Sequence, residues 1–392
     1  MDDIKTQQEI RAFLERATRE FRAETEAEGD GAAKTAASKH SIAMAKKWQR
    51  KVYDEGWAGI TIPKAYGGRG ETISTQIIYN KEAKNFDFPN LTYLFVGLHL
   101  VSSTLVDHGT DAQKDEFIRR TLNGDLVWCQ LFSEPGAGSD LAGLSTRAVR
   151  DGDIWKISGQ KVWSSGAHIA DYGILLTRSD RNAAKHRGIT AFLLDMKTPG
   201  ITVRPLRMMT GETGFNEVFF DEVEIPDSMR LGEVNAGWGV AMTALGHERI
   251  GLMGARSVDI TGLIDLARET YAGRDVPGFV RQGIASLYAR SLAVNSIGEE
   301  VADMVAEGAN PTAYASSGKL TLGYLLNEAA DLAMQIEGYP GGALAQVDAI
   351  ENGRWQHALL EAPARRIAGG SDEVQRSVIA ERVLKFPRSR GH

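Results

Sequence analysis

The chain has 392 residues, of which 43% are hydrophobic and 24% charged, with a net charge of −6. That balance supplies a core and excludes disorder over most of the length, and a size of about 100–200 residues per domain points to two or three domains. The acidic balance without a long basic run argues against a dedicated nucleic-acid binder, and the single cysteine, Cys129, excludes an internal disulfide and a Cys-rich zinc site, so no metal is expected.

The N-terminal stretch Met1-Asp2-Asp3-Ile4-Lys5 has neither the apolar core of a secretion signal nor the basic character of a transit peptide, and a cytoplasmic location is the expectation. No apolar run approaches the roughly 18 residues of a membrane span. Ile10, Phe13, Leu14, Ala17 and Phe21 recur at spacings of three and four, one face of an amphipathic helix. A second helix runs through Met44, Trp48 and Val52 and stops near Gly56. Ile62-Pro63-Lys64-Ala65-Tyr66-Gly67-Gly68-Arg69-Gly70 then breaks structure. Two more helical segments follow, Leu98 to Val106 and Asp111 to Leu122.

Beyond about residue 127 the period changes to two. Asp153–Ile157 alternates, Glu217–Ile225 does so less strictly, and Leu175-Leu176 and Ala191–Leu194 are short apolar runs bounded by turn residues. These predict a compact antiparallel β domain. Long helical patterns return through Val240, Leu245, Ile250 and Met253, then Ile284, Leu287 and Leu292, then Leu320, Leu326 and Leu332. Long helices with apolar faces pack as bundles. The expected fold class is α+β, with an N-terminal helical domain (1–127), a middle β domain (128–232) and a C-terminal four-helix-bundle domain (233–392).

Glycines number 42 and cluster in a few places, as functional turns do. One cluster is Phe132-Ser133-Glu134-Pro135-Gly136-Ala137-Gly138-Ser139-Asp140, where two glycines let backbone approach a ligand beside two serine hydroxyls. Alone it reads equally as a tight loop entering the β domain. Others are Gly159-Gln160-Lys161-Val162-Trp163-Ser164-Ser165-Gly166-Ala167 and Gly369-Gly370-Ser371-Asp372-Glu373-Val374-Gln375-Arg376, the latter followed by Ile379–Leu384. With Pro63–Gly70 and Gly109-Thr110-Asp111-Ala112-Gln113-Lys114, these segments, in this order, resemble the acyl-CoA dehydrogenase family from about residue 56 to 384.

The resemblance implies an α–β–α fold, FAD, and an acyl-CoA substrate. It makes Ser133, Trp163 and Ser165 flavin-contacting residues and places Ser139 on the pantetheine arm of CoA. Gln335-Ile336-Glu337-Gly338-Tyr339-Pro340-Gly341-Gly342 resembles the family turn that contacts FAD of a neighbouring subunit, although Tyr339 stands where Gly is common. In that match Gln335, Ile336 and Gly338 belong to the cofactor site, as do Ser371 and Glu373. The family's arginine contact to the diphosphate is poorly matched. Arg274 or Arg281 could supply it, with Arg281 preferred, and both read equally as solvated arginines.

Dehydrogenation needs a base over the α-carbon and hydride transfer from the β-carbon to flavin N5 to yield a trans-2-enoyl-CoA. Many family members carry that base in a Glu-Gly-Thr loop, and here the position is Gly369. A subgroup including isovaleryl-CoA and long-chain acyl-CoA dehydrogenases places it in a Glu-Arg pair on a helix. Leu245-Gly246-His247-Glu248-Arg249-Ile250 matches, which makes Glu248 the base and Arg249 a substrate-side neighbour. His247 is turned about 100° away along a helix and is expected to pack or cap. Ala368, Gly369 and Gly370 stand where Tyr-Glu-Gly is common, so little bulk borders the reacting carbons; a branched or bulky acyl-CoA is expected to be turned over at least as efficiently as a straight chain of equal carbon number, unless Met242 or Leu245 fills the room.

The family also implies reoxidation by an electron-transferring flavoprotein and an oligomer of two or four identical chains. Two rivals remain. One is a flavin monooxygenase or oxidase on the same fold, which needs no carboxylate at 248. The other is a flavin-poor partner subunit of a mixed oligomer.

Overall fold

The computed structural model describes residues 2–27, 39–252, 258–338 and 353–387. The chain forms two compact units, Met1–Leu252 and Met253–His392.

The first unit opens with α1 (Asp2–Ala27) and α2 (Lys39–Asp54). The five apolar positions read from the α1 sequence are all buried, and Trp48 of α2 stacks on Phe88 and meets Phe21 edge-on. The Pro/Gly segment makes a single tight turn at Lys64–Tyr66 and folds back, with Arg69 N–H bonded to the Gly59 carbonyl and Gly70 N–H to that of Ile62. α3 (Ile73–Ala83) follows, and then a wide π-type turn, Val96–Val101, runs directly into α4 (Ser102–His108). Side-chain hydroxyls enter this region's backbone: Ser102 donates to the Gly97 carbonyl and Thr104 to that of Leu100.

Helix α5 (Asp111–Leu122) has the boundaries the sequence predicts. Its entrance is a capping box in which the Thr110 hydroxyl accepts from Gln113 N–H and the Gln113 side chain accepts from Thr110 N–H. The same Gln113 amide donates to the carbonyls of Ser228 and Arg230, tying the helix to the β region.

Eight strands form one sheet: β1 (Trp128–Leu131), β2 (Arg147–Asp151), β3 (Ile154–Lys161), β4 (Tyr172–Arg178), β5 (Ile189–Asp195), β6 (Ile201–Leu206), β7 (Phe215–Pro226) and β8 (Arg230–Leu231). Their order is β6-β7-β3-β2-β4-β5-β8, with β1 added on β4. Most pairings are antiparallel as expected, but β1 and β2 each run parallel to β4. Parallel neighbours need a crossover of a dozen or more residues, and for β1 and β4 the loop and hairpin between them supply it.

The two apolar runs seen in sequence are strands buried on both faces. Ile174 and Leu176 join the core shared with Leu105, Ile118 and Trp128, while Leu175 joins Phe192, Leu194, Val218 and Val223 on the opposite face. Helix α6 (Gly237–Leu252) completes the unit, with Val240, Ala241 and Ala244 in the first of these cores.

The second unit contains α7 (Ile260–Thr270), α8 (Gly278–Ala306), α9 (Thr312–Glu337), α10 (Arg354–Ile367) and α11 (Asp372–Val378). α9 is the central helix and packs on each of the others. Leu287 and Leu332 lie in its core with Leu263, Leu266, Leu325 and Trp355, whereas Leu292, one of the positions read as an apolar face, is 48% exposed.

Gly68 tests the tight return of the Pro/Gly segment. A Cβ there would sit 2.2 Å from the Ile62 carbonyl oxygen and 2.6 Å from that of Gly59, both fixed backbone atoms. Gly68→Ala is expected to destabilise the protein by about 2–3 kcal/mol, measured by urea denaturation, since overpacking against backbone finds no side chain to move.

Candidate active site

Two segments lie together at one end of the sheet. Beyond β1 the chain alternates: Phe132 is buried, Ser133 half-buried, Glu134 buried, and Pro135 and Gly136 exposed. At the end of β3, Lys161 is fully buried, in phase with the inward-facing Trp155 and Ile157. Its ammonium donates to the Phe132 carbonyl at 2.9 Å and to the Glu134 carboxylate at 2.8 Å. That carboxylate also accepts from Ser145 N–H, the Ser145 hydroxyl and Thr146 N–H. Burial alone would raise the Glu134 pKa, but the Lys161 charge and these hydrogen bonds outweigh it and hold the group down at about 2.

The next residue, Val162, donates its N–H to the Ser133 carbonyl at 2.9 Å, which sets Ser133 beside Trp163. Trp163 has φ +60° and is 60% exposed, an uncommon conformation for a bulky residue. Asn216 of β7 holds it from the far side, because Ser164 N–H donates to the Asn216 carbonyl and the Asn216 side-chain amide donates to the Ser164 carbonyl. Gly166 N–H adds a bond to Gly214, and Phe215 meets the Trp163 ring edge-on. Such backbone strain persists where surrounding bonds over-determine it.

The hydroxyls of Ser133 and Ser165 make no hydrogen bond among the described residues, and Ser165 is exposed. Unspent hydroxyls beside an exposed indole face suit a flat, partly apolar ring with polar edges, so the residues present fit a flavin. Ser139 lies exposed in the same loop, next to Asp140, which pairs with Lys185. Buried Arg178 anchors this loop by donating to the carbonyls of Ala142, Leu144 and Lys185.

Glu248 lies on α6 and is half-buried. Two contacts with α4 set the rotation of this helix: His247 Nε2 lies 3.0 Å from Asp107 and His108 Nε2 lies 2.9 Å from the Thr243 hydroxyl. His247 is thus occupied in packing against α4, as its place one residue from Glu248 suggests. The side chain of Arg249 lies outside the described residues.

In the second unit, Ala368-Gly369-Gly370 link α10 to α11. Gly369 and Gly370 have φ of +67° and +90°. Their carbonyls are held from below: Lys319 of α9 donates to Gly370 at 2.6 Å, and the Gln375 amide donates to both. Burial lowers the Lys319 pKa, opposed by nearby Asp372 and Glu373. Ser371 is the N-cap of α11 and accepts from Val374 N–H, while Glu373 lies exposed in the first turn. Ser371 therefore has local capping work that the sequence match did not show, and Glu373 pairs with Arg376 one turn on. Arg281 is exposed and donates to the Val276 carbonyl, and Arg274 donates to that of Thr270. Gln335 is exposed and Ile336 buried at the end of α9, Gly338 follows with φ +67°, and Tyr339–Gly342 lie outside the described residues.

The reading from sequence missed three participants: the Lys161–Glu134 pair, the Asn216 clasp and Lys319. Lys161 carried a usable signal, since a lysine on the inward phase of an alternating strand must find a partner. Nothing local marks Asn216 or Lys319.

Comparison with known proteins identifies the family. Three family models match in succession: acyl-CoA dehydrogenase N-terminal domain at residues 3–125, middle domain at 129–223 and C-terminal domain at 235–384. The chain is 37% identical over 346 residues to acyl-CoA dehydrogenase FadE34 of Mycobacterium tuberculosis, covering 88% of this chain but 46% of that relative's length. The solved Tcur3481-Tcur3483 steroid ACAD superposes with a TM-score of 0.82 at 29% identity, covering 99% of this chain and 98% of that one. The ChsE4-ChsE5 complex from Mycobacterium tuberculosis superposes with a TM-score of 0.78 at 30% identity, with the same coverage. The chain belongs to the acyl-CoA dehydrogenase family of flavin-dependent oxidoreductases.

Proposed function

We propose that the chain, organised as segments 1–127, 128–232 and 233–392, dehydrogenates an acyl-CoA thioester to its trans-2-enoyl-CoA, with Glu248 as the base that removes the α-proton. The observation that carries this reading is in the sequence: a glutamate, Glu248, in the Glu-Arg motif together with a glycine, Gly369, at the position where the family's commoner base would stand. The FAD group, when bound, would supply the acceptor for the β-hydrogen. Ser133, Trp163 and Ser165 would hold its ring, and Ser139 would meet the pantetheine arm. Arg281, Gln335, Ile336, Gly338, Ser371 and Glu373 remain proposed contacts to the rest of the cofactor, and Arg249 and Ala368 to substrate. An electron-transferring flavoprotein is the proposed acceptor from the reduced enzyme.

For the substrate, we favour a branched or ring-bearing acyl group. Ala368-Gly369-Gly370 presents a single methyl group, and a relative covering nearly the whole chain is named a steroid ACAD. For assembly, the reading is an oligomer of at least two chains. Tyr288 and Leu292, one turn apart on α8, are each about half exposed and form a small apolar surface patch. A mixed oligomer is the second reading, because ChsE4-ChsE5 is a complex of two different chains and FadE34 is about twice the length matched here.

Glu248→Gln is expected to retain FAD and to lose dehydrogenation by about 10²–10⁴-fold with an artificial electron acceptor, the usual contribution of a positioned base. Near-wild-type turnover would remove Glu248 from the mechanism. Across straight-chain, branched, cyclic and steroid-side-chain CoA esters, kcat/KM is expected to be at least as high for the bulky esters as for straight chains of equal carbon number. A uniform preference for straight chains would contradict the substrate reading. Light scattering with flavin quantitation is expected to show an oligomer, whether alone or with a partner subunit, and a monomer with stoichiometric FAD would refute it.

A further inference from the structure

Resting on the flavin reading above, we propose that the buried Lys161–Glu134 pair is a positioning device that holds Ser133 and Trp163 side by side to face the flavin ring. An ion pair in the interior is not explained by stability, since an apolar pair of similar volume often serves a core as well or better. What an apolar pair cannot do is satisfy backbone. Lys161 takes up the Phe132 carbonyl, and Glu134 takes up the N–H groups of Ser145 and Thr146.

Each anchor point is next in sequence, or next but one, to an outward-facing group. Phe132 and Glu134 are both drawn inward, so Ser133 between them is turned toward the surface. Lys161 and Val162 are likewise buried, and Trp163 emerges beyond them at φ +60°. The Val162 N–H to Ser133 carbonyl bond then joins the two segments directly above the ion pair. The pair thus joins the Phe132–Glu134 turn, the Ser145-Thr146 segment and the end of β3 at one point. The pair is almost wholly removed from solvent: Lys161 is fully buried and Glu134 is 6% exposed.

Lys161 and Glu134 touch no flavin on this account. They act through the residues beside them, so flavin properties report their role and activity alone does not. The test compares wild type with Lys161→Met, Glu134→Gln and the double variant. Thermal midpoint of the apoprotein, FAD affinity by fluorescence titration, and the visible circular dichroism and reduction potential of the bound flavin are measured for each. The double variant, which leaves no unpaired buried charge, is expected to fold, to bind FAD at least about tenfold more weakly, and to show an altered visible dichroism and potential. A lowered thermal midpoint with FAD affinity, dichroism and potential all unchanged would overturn the proposal and make the pair a stability element. If the neutral variants do not fold, Glu134→Asp keeps the charge but withdraws the carboxylate by one methylene, and unchanged flavin properties in that variant overturn the proposal equally. A wild-type chain that binds no FAD would instead overturn the flavin reading on which this rests.

Discussion

A lysine ammonium with no access to water must be met by oxygen atoms, and at the end of β3 that requirement organises the surrounding chain. Lys161 finds the Phe132 carbonyl and the Glu134 carboxylate, and Glu134 in turn gathers the N–H groups of Ser145 and Thr146. A loop of more than a dozen residues between β1 and β2 is thereby tied to a strand it does not pair with. On the other side, Asn216 grips the Ser164 peptide with its own carbonyl and its side-chain amide. Between the two, Trp163 is kept in a backbone conformation it would not choose in isolation.

The same logic of satisfied polar groups recurs where helices meet other elements. Gln113 completes a capping box and uses its remaining donor capacity to reach the segment between β7 and β8. Arg178, nearly buried, spends three donors on three carbonyls of neighbouring loops. Lys319 and Gln375 do this for the Gly369-Gly370 link. In each case a polar side chain takes up loop carbonyls, so rigid elements extend their order into segments with no regular hydrogen bonding.

Much of this architecture is legible in the sequence because burial imposes periods. The α1 stripe from Ile10 to Phe21 and the boundaries of α5 follow from spacing and capping chemistry alone. Leu175-Leu176 and Ala191–Leu194 read as apolar runs because both faces of β4 and β5 are covered. The parallel placement of β1 and β2 on β4 has no local signature, since it depends on where a crossover returns. The π-type turn at Val96–Val101 depends on hydroxyls reaching back to particular carbonyls, which no periodicity encodes. At the site, Ser133, Trp163 and Ser165 were legible as motif residues. The clasp from Asn216 was not, because its partner is 52 residues away in the chain. Ser371 shows the converse: a motif match that also has an ordinary explanation in helix capping.

The left-handed backbone at Gly369 bears on what any residue other than glycine would cost at that position. A Cβ placed there would meet nothing within 4 Å, so crowding at the first side-chain atom is no obstacle. The obstacle is torsional: at φ +67° an L-residue carries roughly 1–2 kcal/mol of strain, and the adjoining glycine, with its carbonyl already claimed by Lys319 and Gln375, cannot relax to relieve it. Any side chain placed in this link would therefore pull the loop toward another backbone path at a cost of that size. A link of two glycines held at these angles can therefore take on a side chain only by giving up some of its present geometry.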